Sequence, residues 1–334
     1  MSTDANDGVE LTDPTQLDPA PGELPAPALK PTMYFIGVTT GQSSIRTVFP
    51  RWAAELGIKD VQLVGIDLPP HAPREHYQRV VDFIKNDPLS RGGLVTTHKI
   101  DLFEACQDMF DCIDPLAGLM GEVSCLSKRD GELICHAKDP ISSGLAIEAF
   151  LRPGHWREAA AEAFLIGAGG SAIAISWYLT RPERADDRPS RVVVSNRTPQ
   201  RLETFRQLYQ QFRTDVPIEY VHTPTPEDND AVLARLRPRS LVVNATGLGK
   251  DAPGSPLTDA AAFPQAAVAW DLNYRGDLIF LDQARSGGHA QVEDGWVYFL
   301  HGWTQVIAEV FDVDIPTSGP RFDALGRIAG ELRR

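Results

Sequence analysis

Short apolar runs alternate with segments of helical apolar spacing along most of the chain. Tyr34–Val38 reads as a buried strand. Val48, Trp52 and Leu56 then recur on one face of a helix over Ser44–Leu56, which stops at Gly57. The alternation continues with a strand at Val61–Leu68, a helix over His76–Ile84, a short strand at Gly93–Thr96 and a helix over Ile100–Ala105. Glu122–Leu126 and Leu133–His136 form two strands joined by a turn at Asp130-Gly131. A helix through Leu145–Phe150 leads to a strand at Phe164. Beyond it the pattern predicts helices over Pro199–Tyr209 and Asp228–Leu236, with strands at Ile218–Val221, Leu241–Asn244 and Val268–Leu272. Trp296–Val310 and Phe322–Leu332 close the chain as helices. Strand and helix alternating in this way predict an α/β protein with parallel sheet.

The 334 residues leave room for two domains. Met1 to about Lys30 is rich in Pro, Asp, Ala and Thr with little periodicity, which predicts a disordered acidic tail. The formal charge of −13 argues against nucleic acid and anionic membrane surfaces as partners. Cys106, Cys112, Cys125 and Cys135 lack CxxC spacing, so they read as reduced thiols, and no metal site is expected. No apolar run reaches bilayer length and no basic-then-apolar leader precedes the first strand, so the expected location is the cytoplasm.

The chemistry begins at Phe164-Leu165-Ile166-Gly167-Ala168-Gly169-Gly170-Ser171-Ala172, an apolar strand entering a glycine-rich turn and a small-residue helix. A dinucleotide pyrophosphate needs that order. Gly167 allows the tight turn, Gly169 lets the backbone approach the phosphates, and Ala172 allows close helix–strand packing. The helix N-terminus, from Gly170 and Ser171, supplies free N–H groups to the anion. The next strand, Val192-Val193-Val194-Ser195, ends in Asn196-Arg197-Thr198, where NAD-binding chains carry an acidic residue for the ribose 2′-hydroxyl. Arg197, with Arg201 as a second cation, fits a 2′-phosphate, so the expected cofactor is NADP. The polar stretch Thr180–Ser190 is a loop insertion that lengthens the spacing between the two motifs.

Further blocks occur in a fixed order: Gly37–Ile58, Val95-Thr96-Thr97-His98-Lys99, Gly121-Glu122-Val123-Ser124-Cys125, Ala137-Lys138-Asp139, Asn244-Ala245-Thr246-Gly247-Leu248-Gly249 and Asp271-Leu272-Asn273-Tyr274. With Asn196-Arg197-Thr198 they resemble the shikimate dehydrogenase family over roughly residues 33 to 312. The resemblance implies an N-terminal α/β substrate domain over residues 31–144. It implies a doubly wound parallel-sheet (Rossmann) NADP domain over 145–295, and C-terminal helices over 296–334 that return to the first domain. The implied activity is the NADP(H)-dependent interconversion of a ring secondary alcohol and ketone. Lys99 and Asp139 match the family's acid–base pair. Ser43, Thr96, Ser124, Tyr274 and Gly302 fall at substrate positions, and Asn244, Ala245 and Thr246 join the cofactor residues.

The residues agree with that chemistry on their own terms. Reducing a ketone requires a proton at oxygen as hydride reaches carbon. Lys99 follows a strand end and Asp139 begins a helix after another strand, so both can face one cleft. Asp139, ahead of Pro140, also reads as a helix N-cap.

The substrate positions depart from the family pattern more than the catalytic pair does. Ser43 is kept, but Ile45 stands at the second serine of the carboxylate clamp. Leu94, Ser124 and Ala137 replace asparagines, and Gly302 replaces a glutamine that reaches the substrate. His98, His136, Lys138, Tyr298, His301 and Trp303 are candidates to re-line the pocket, and each also has a plain structural reading. The expected partner is therefore a cyclic hydroxy acid or cyclitol, shikimate or a related compound, handled by a monomer or homodimer. The rival readings are a non-catalytic NADPH-binding or sensing paralogue and a folate-linked dehydrogenase. The Asn196-Arg197-Thr198 and Asp271–Tyr274 blocks count against the latter.

Overall fold

A computed structural model describes residues 18–249 and 252–332. The first half of the chain runs β1 (Thr32–Gly37), α1 (Ile45–Leu56), β2 (Gln62–Asp67), α2 (Arg74–Asn86), β3 (Ser90–Val95), α3 (Lys99–Cys106), β4 (Cys112–Ile113) and α4 (Pro115–Met120). It continues with β5 (Cys125–Arg129), β6 (Glu132–His136), α5 (Asp139–Phe150) and α6 (His155–Ala159). The second half runs β7 (Ala163–Ile166), α7 (Gly170–Thr180), β8 (Val192–Asn196), α8 (Pro199–Tyr209), β9 (Ile218–His222), α9 (Pro226–Leu233), β10 (Leu241–Asn244) and β11 (Val268–Asp271). It closes with α10 (Ile279–Ser286), β12 (Gln291–Glu293), α11 (Trp296–Phe311) and α12 (Pro320–Glu331).

Two compact units result. The first holds the described residues up to Asp114, Glu122–His136 and those from Val306 onward; the second holds Pro115–Gly121 and Ala137–Gln305. In the first unit the strand order is β2-β1-β3-β5-β6-β4. β1 is parallel to β2 and β3, while β5 is antiparallel to β3 and β6. The turn at Asp130-Gly131, both with positive φ, forces the β5–β6 hairpin and makes this sheet mixed. α12 packs on α1 through the Trp52 indole N–H, which donates to Leu325 O at 2.8 Å, so the end of the chain braces this unit.

The second unit is an all-parallel sheet of order β12-β11-β10-β7-β8-β9. The strand order reverses between β7 and β10, which in such sheets is where ligands bind. Its core strands are near-continuous apolar runs because both faces are covered: β7 and β10 are fully buried along their length.

Three features differ from the sequence expectation. Residues 1–17 lie outside the described residues, but 18–30, expected within a disordered tail, run along the first unit. Asp18 accepts from the Gly65 N–H at 2.6 Å and pairs with buried Arg46 at 2.9 Å. Gly22 N–H donates to Asp67 O, and Ala28 N–H to the Asp87 carboxylate. These anchors are polar, so hydrophobic patterning does not register them. The second unit resumes at Ala137 rather than 145, because α5 lies against α7: a Cβ on Gly144 would enter the Tyr178 ring. The return to the first unit comes at Val306, inside α11 and not at its start. Short elements such as α4, α6, α10, β4 and β12 carry too few residues to show a period. Among the described residues no helix is long and apolar enough to cross a membrane.

Candidate active site

In the second unit β7 delivers Ile166 to the turn that sequence reading assigned to a pyrophosphate. Gly167 has φ +110°, and a Cβ there would lie 2.8 Å from the Ala245 carbonyl oxygen, so only glycine fits. Its N–H donates to Ser195 O at 2.8 Å, tying the turn to β8. Gly169 is extended and caps α7 without a side chain. A Cβ on it would meet no described heavy atom within 4 Å, leaving room for a ligand against the backbone. α7 then begins at Gly170 with its first N–H groups outside the helix's own hydrogen bonds, and Ala172 is fully buried behind the turn.

A groove of about 580 Å³ opens over this turn, within the range of small-molecule sites. Gly167, Ala168 and Gly169 form one wall, Ala245 and Thr246 another. Asn196, Arg197, Thr198 and Arg201 lie at the end of β8 and the start of α8. Among the described residues neither Arg197 nor Arg201 has a carboxylate partner, although acidic residues outnumber basic ones in the chain. Two unneutralised guanidiniums beside a glycine turn match the donors a 2′-phosphorylated dinucleotide requires. Gly170, Ser171 and Ala172 lie behind the turn and not on the groove wall. Asn244 is also off the wall: it is fully buried, and its side-chain oxygen accepts from Thr246 N–H and hydroxyl at 3.1 and 2.7 Å.

The groove has lining residues that the sequence did not flag. Thr223 and Thr225 follow β9, and Asn229 accepts from the Ser195 hydroxyl at 2.7 Å and donates to Pro256 O at 3.0 Å. A Thr225–Asp228 capping box starts α9 there, and its Thr-Pro-x-Asp pattern was the available signal.

In the first unit, Lys99 opens α3 just past β3. Its carbonyl accepts from Val123 N–H at 3.1 Å, and its N–H donates to Thr96 O. The preceding His98 is 1% exposed. Its Nε2 lies 3.2 Å from Gly37 O and its Nδ1 3.2 Å from the Tyr77 hydroxyl. A carbonyl only accepts, so Nε2 carries the proton and Nδ1 accepts from Tyr77. Burial lowers the imidazole pKa, which keeps the ring neutral. His98 therefore pins the Lys99 loop to the end of β1. Thr96 N–H donates to Ile36 O at 3.0 Å, and Thr96 packs against Gly37. Ser43 closes a short 3-10 turn ahead of α1. Ser124 is buried between β3 and β6, with its N–H on His136 O.

In the second unit Asp139 is the first residue of α5 and is 7% exposed. Lys138 occupies the N-cap position, so Asp139 is not the cap. Tyr274 meets Trp296 edge-on and Phe299 at a tilt, centroids 5.5 and 4.9 Å away. On α11, His301 is 2% exposed, and burial lowers its pKa to about 4. Trp303 is buried, whereas a Cβ on Gly302 would meet no described heavy atom within 4 Å.

No family model matches the chain. A shikimate dehydrogenase (NADP(+)) of Methanothrix thermoacetophila is 30% identical over 241 residues, 72% of this chain and 79% of that protein. The Methylocella silvestris shikimate dehydrogenase (NADP(+)) is 31% identical over 287 residues, 85% and 91% of the two chains. The chain belongs to the shikimate dehydrogenase family. The fold agrees: the crystal structure of shikimate dehydrogenase from Aquifex aeolicus superposes with a TM-score of 0.69 at 18% identity, over 90% of this chain and 98% of that one.

Against the shikimate dehydrogenase pattern, the departures at the substrate positions have different structural consequences. Ile45, which stands where the family resemblance expects a second serine, is fully buried in the first-unit core. Ala137 is likewise buried, at 2% exposure. Gly302 is the departure that leaves space.

Proposed function

We propose that this shikimate dehydrogenase relative interconverts a ring secondary alcohol and ketone with NADP(H), on shikimate or a related cyclic hydroxy acid or cyclitol, with the related compound favoured. Lys99 and Asp139 act as its acid–base pair. The observation that carries the reading is the groove in which the Gly167 turn stands beside Arg197 and Arg201, neither of which has a carboxylate partner among the described residues. NADPH, when bound, supplies the hydride. Gly167 and Gly169 would admit its pyrophosphate to the backbone, the start of α7 would offer N–H donors, and Arg197 with Arg201 would hold the 2′-phosphate. Asn244 fixes the Thr246 wall.

The protein's part in the chemistry is to bring a proton to the carbonyl oxygen as its carbon is reduced, and to remove it in the reverse direction. The Lys99 ammonium is the donor, placed by the His98 pin and by the backbone bonds at Thr96 and Val123. The Asp139 carboxylate, the other member of the proposed pair, sits in the first turn of α5, where the helix dipole favours an anion. Ser43, Thr96, Ser124 and Tyr274 contribute the remaining substrate contacts. Loss of the second clamp serine and of the Gly302 side chain supports a ring other than shikimate, because unpaired buried polar groups set specificity.

The test is a steady-state panel of shikimate, quinate, amino-substituted analogues and C7 cyclitols with NADP and with NAD. The reading expects NADP to be preferred and shikimate not to be the best substrate. Preference for NAD, or full activity in Lys99→Ala, would overturn it.

A further inference from the structure

On the first unit a depression of about 470 Å³ lies between the loop before β2, the start of β3, the β5–β6 turn and the end of α11. Four cations line it: Lys59, Arg91, Lys128 and Arg129. Arg129 is engaged by Glu309 at 2.7 Å and by Asp312 at 3.2 Å. Among the described residues neither Lys59 nor Arg91 has a carboxylate partner. Lys128 donates one hydrogen bond to Asp87 O at 2.7 Å and keeps two donors. The Asp87 carboxylate nearby accepts from Tyr34, Ala28 and Leu89 and offsets part of the Lys128 charge. Asp130 is the one lining carboxylate that Arg129 does not hold. Three lining cations against one lining carboxylate, with Asp87 beside Lys128, leave a local surplus of positive charge in a chain of net charge −13.

We propose that this depression binds a compact multivalent oxyanion, a phosphate ester or small polycarboxylate. Arg91 offers a fork of N–H donors suited to an oxyanion, and Lys59 and Lys128 add point charges. The half-buried ammonium is the pocket's floor. Burial pushes the Lys128 pKa down, Asp87 partly offsets this, and Arg91 adds to it by repulsion. An anion between Arg91 and Lys128 relieves that repulsion and replaces water on both groups. The location separates it from the proposed chemistry. Arg91 is near the N-terminal end of β3 and Thr96 follows its C-terminal end, about 16 Å apart along an extended strand. The nucleotide groove belongs to the other unit.

The experiment titrates inorganic phosphate, pyrophosphate and citrate into the full chain without nucleotide, at constant chloride ionic strength, and follows thermal unfolding and isothermal heat. The expected result is saturable stabilisation that persists in Arg197→Ala/Arg201→Ala and weakens about tenfold or more in Lys59→Ala/Arg91→Ala. Tighter binding of pyrophosphate than of citrate identifies a phosphoryl ligand, and the reverse order a polycarboxylate. Lys59 and Arg91 are exposed, so both substitutions leave the core untouched, and circular dichroism verifies the fold. Absence of saturable binding, or loss of binding in the groove variant instead of the depression variant, overturns the proposal. Because NADP binding is read separately, failure here is distinguishable from failure of the dehydrogenase reading.

Discussion

The Asp271 carboxylate accepts a hydrogen bond of 3.1 Å from the side-chain amide of Asn244, its register partner on the adjacent strand. It also accepts from Asn273 N–H at 2.9 Å. Asn244 and Asn273 in turn both donate to Leu248 O, at 3.3 and 3.1 Å. One fully buried acid thus holds the loop after β10 that forms a wall of the nucleotide groove. Both Asp271 oxygens accept, so Asp271→Asn would set its amide NH₂ against either the Asn244 NH₂, whose oxygen is already committed to Thr246, or the Asn273 N–H. NADP affinity is expected to fall about tenfold, the worth of a lost buried hydrogen bond, as checked by fluorescence titration.

The same residue makes a prediction about pH. Burial raises the Asp271 pKa from 3.8 to about 6, with the hydrogen bonds from Asn273 and Asn244 opposing the rise. A folded pKa above the unfolded one means stability fully present below pH 3.8 and lost as pH rises through 6. Urea unfolding of wild type relative to Asp271→Asn should therefore lose up to about 3 kcal/mol between pH 4 and 7. A difference that does not change over that range removes the assignment.

Arg197→Ala is expected to weaken NADP about ten- to a hundredfold, since an arginine–phosphate pair is charge-assisted and bidentate. NAD, which lacks the 2′-phosphate, should bind almost unchanged. Arg201→Ala should act in the same direction with a smaller effect, because Arg201 sits one helical step further along α8. Parallel titrations of both nucleotides read the difference directly.

How much of this was legible in the sequence follows physical range. The Gly167 turn, Arg197 and the helix Pro199–Tyr209 are local patterns, and the structure places them as the spacing implies. The Asp271–Asn244 bond joins residues 27 positions apart, and nothing in either segment marks the pairing. Asn229 enters the groove through Ser195 and Pro256, again a matter of tertiary placement. His98 shows its polarity beside Lys99 in the sequence, whereas its 1% exposure and its bonds to Gly37 and Tyr77 appear only in the fold. Lys59, Arg91 and Lys128 come from three separate segments, so their surplus of charge appears only after folding.

Lys99→Ala and Asp139→Ala should each lower kcat by about two to four orders of magnitude, the usual contribution of acid–base assistance. Lys99 belongs to the first unit and the nucleotide groove to the second, so NADPH affinity should stay the same in Lys99→Ala. His98→Phe removes the bond to Gly37 O and should lower kcat through a displaced lysine, with its pH profile shifted rather than abolished. Single-turnover rates and nucleotide titrations on the three variants separate these effects.

Gly302 offers the sharpest test of specificity. It lies on α11, and a side chain there would enter open space. Gly302→Gln should therefore fold, and it should gain about 0.5–1 kcal/mol of helix stability because glycine is a poor helix former. It restores the side-chain amide that the shikimate dehydrogenase pattern has at this position. If the missing amide is what disfavours shikimate, kcat/KM for shikimate should rise about tenfold or more, through KM, while larger cyclitols lose activity to the filled volume. Ile45→Ser is a poorer probe: Ile45 is fully buried, and removing it costs about 2–5 kcal/mol of core packing before any gain in binding. An unchanged shikimate kcat/KM in Gly302→Gln, or a wild type that already prefers shikimate over every analogue, would show that the open space at Gly302 does not decide the substrate.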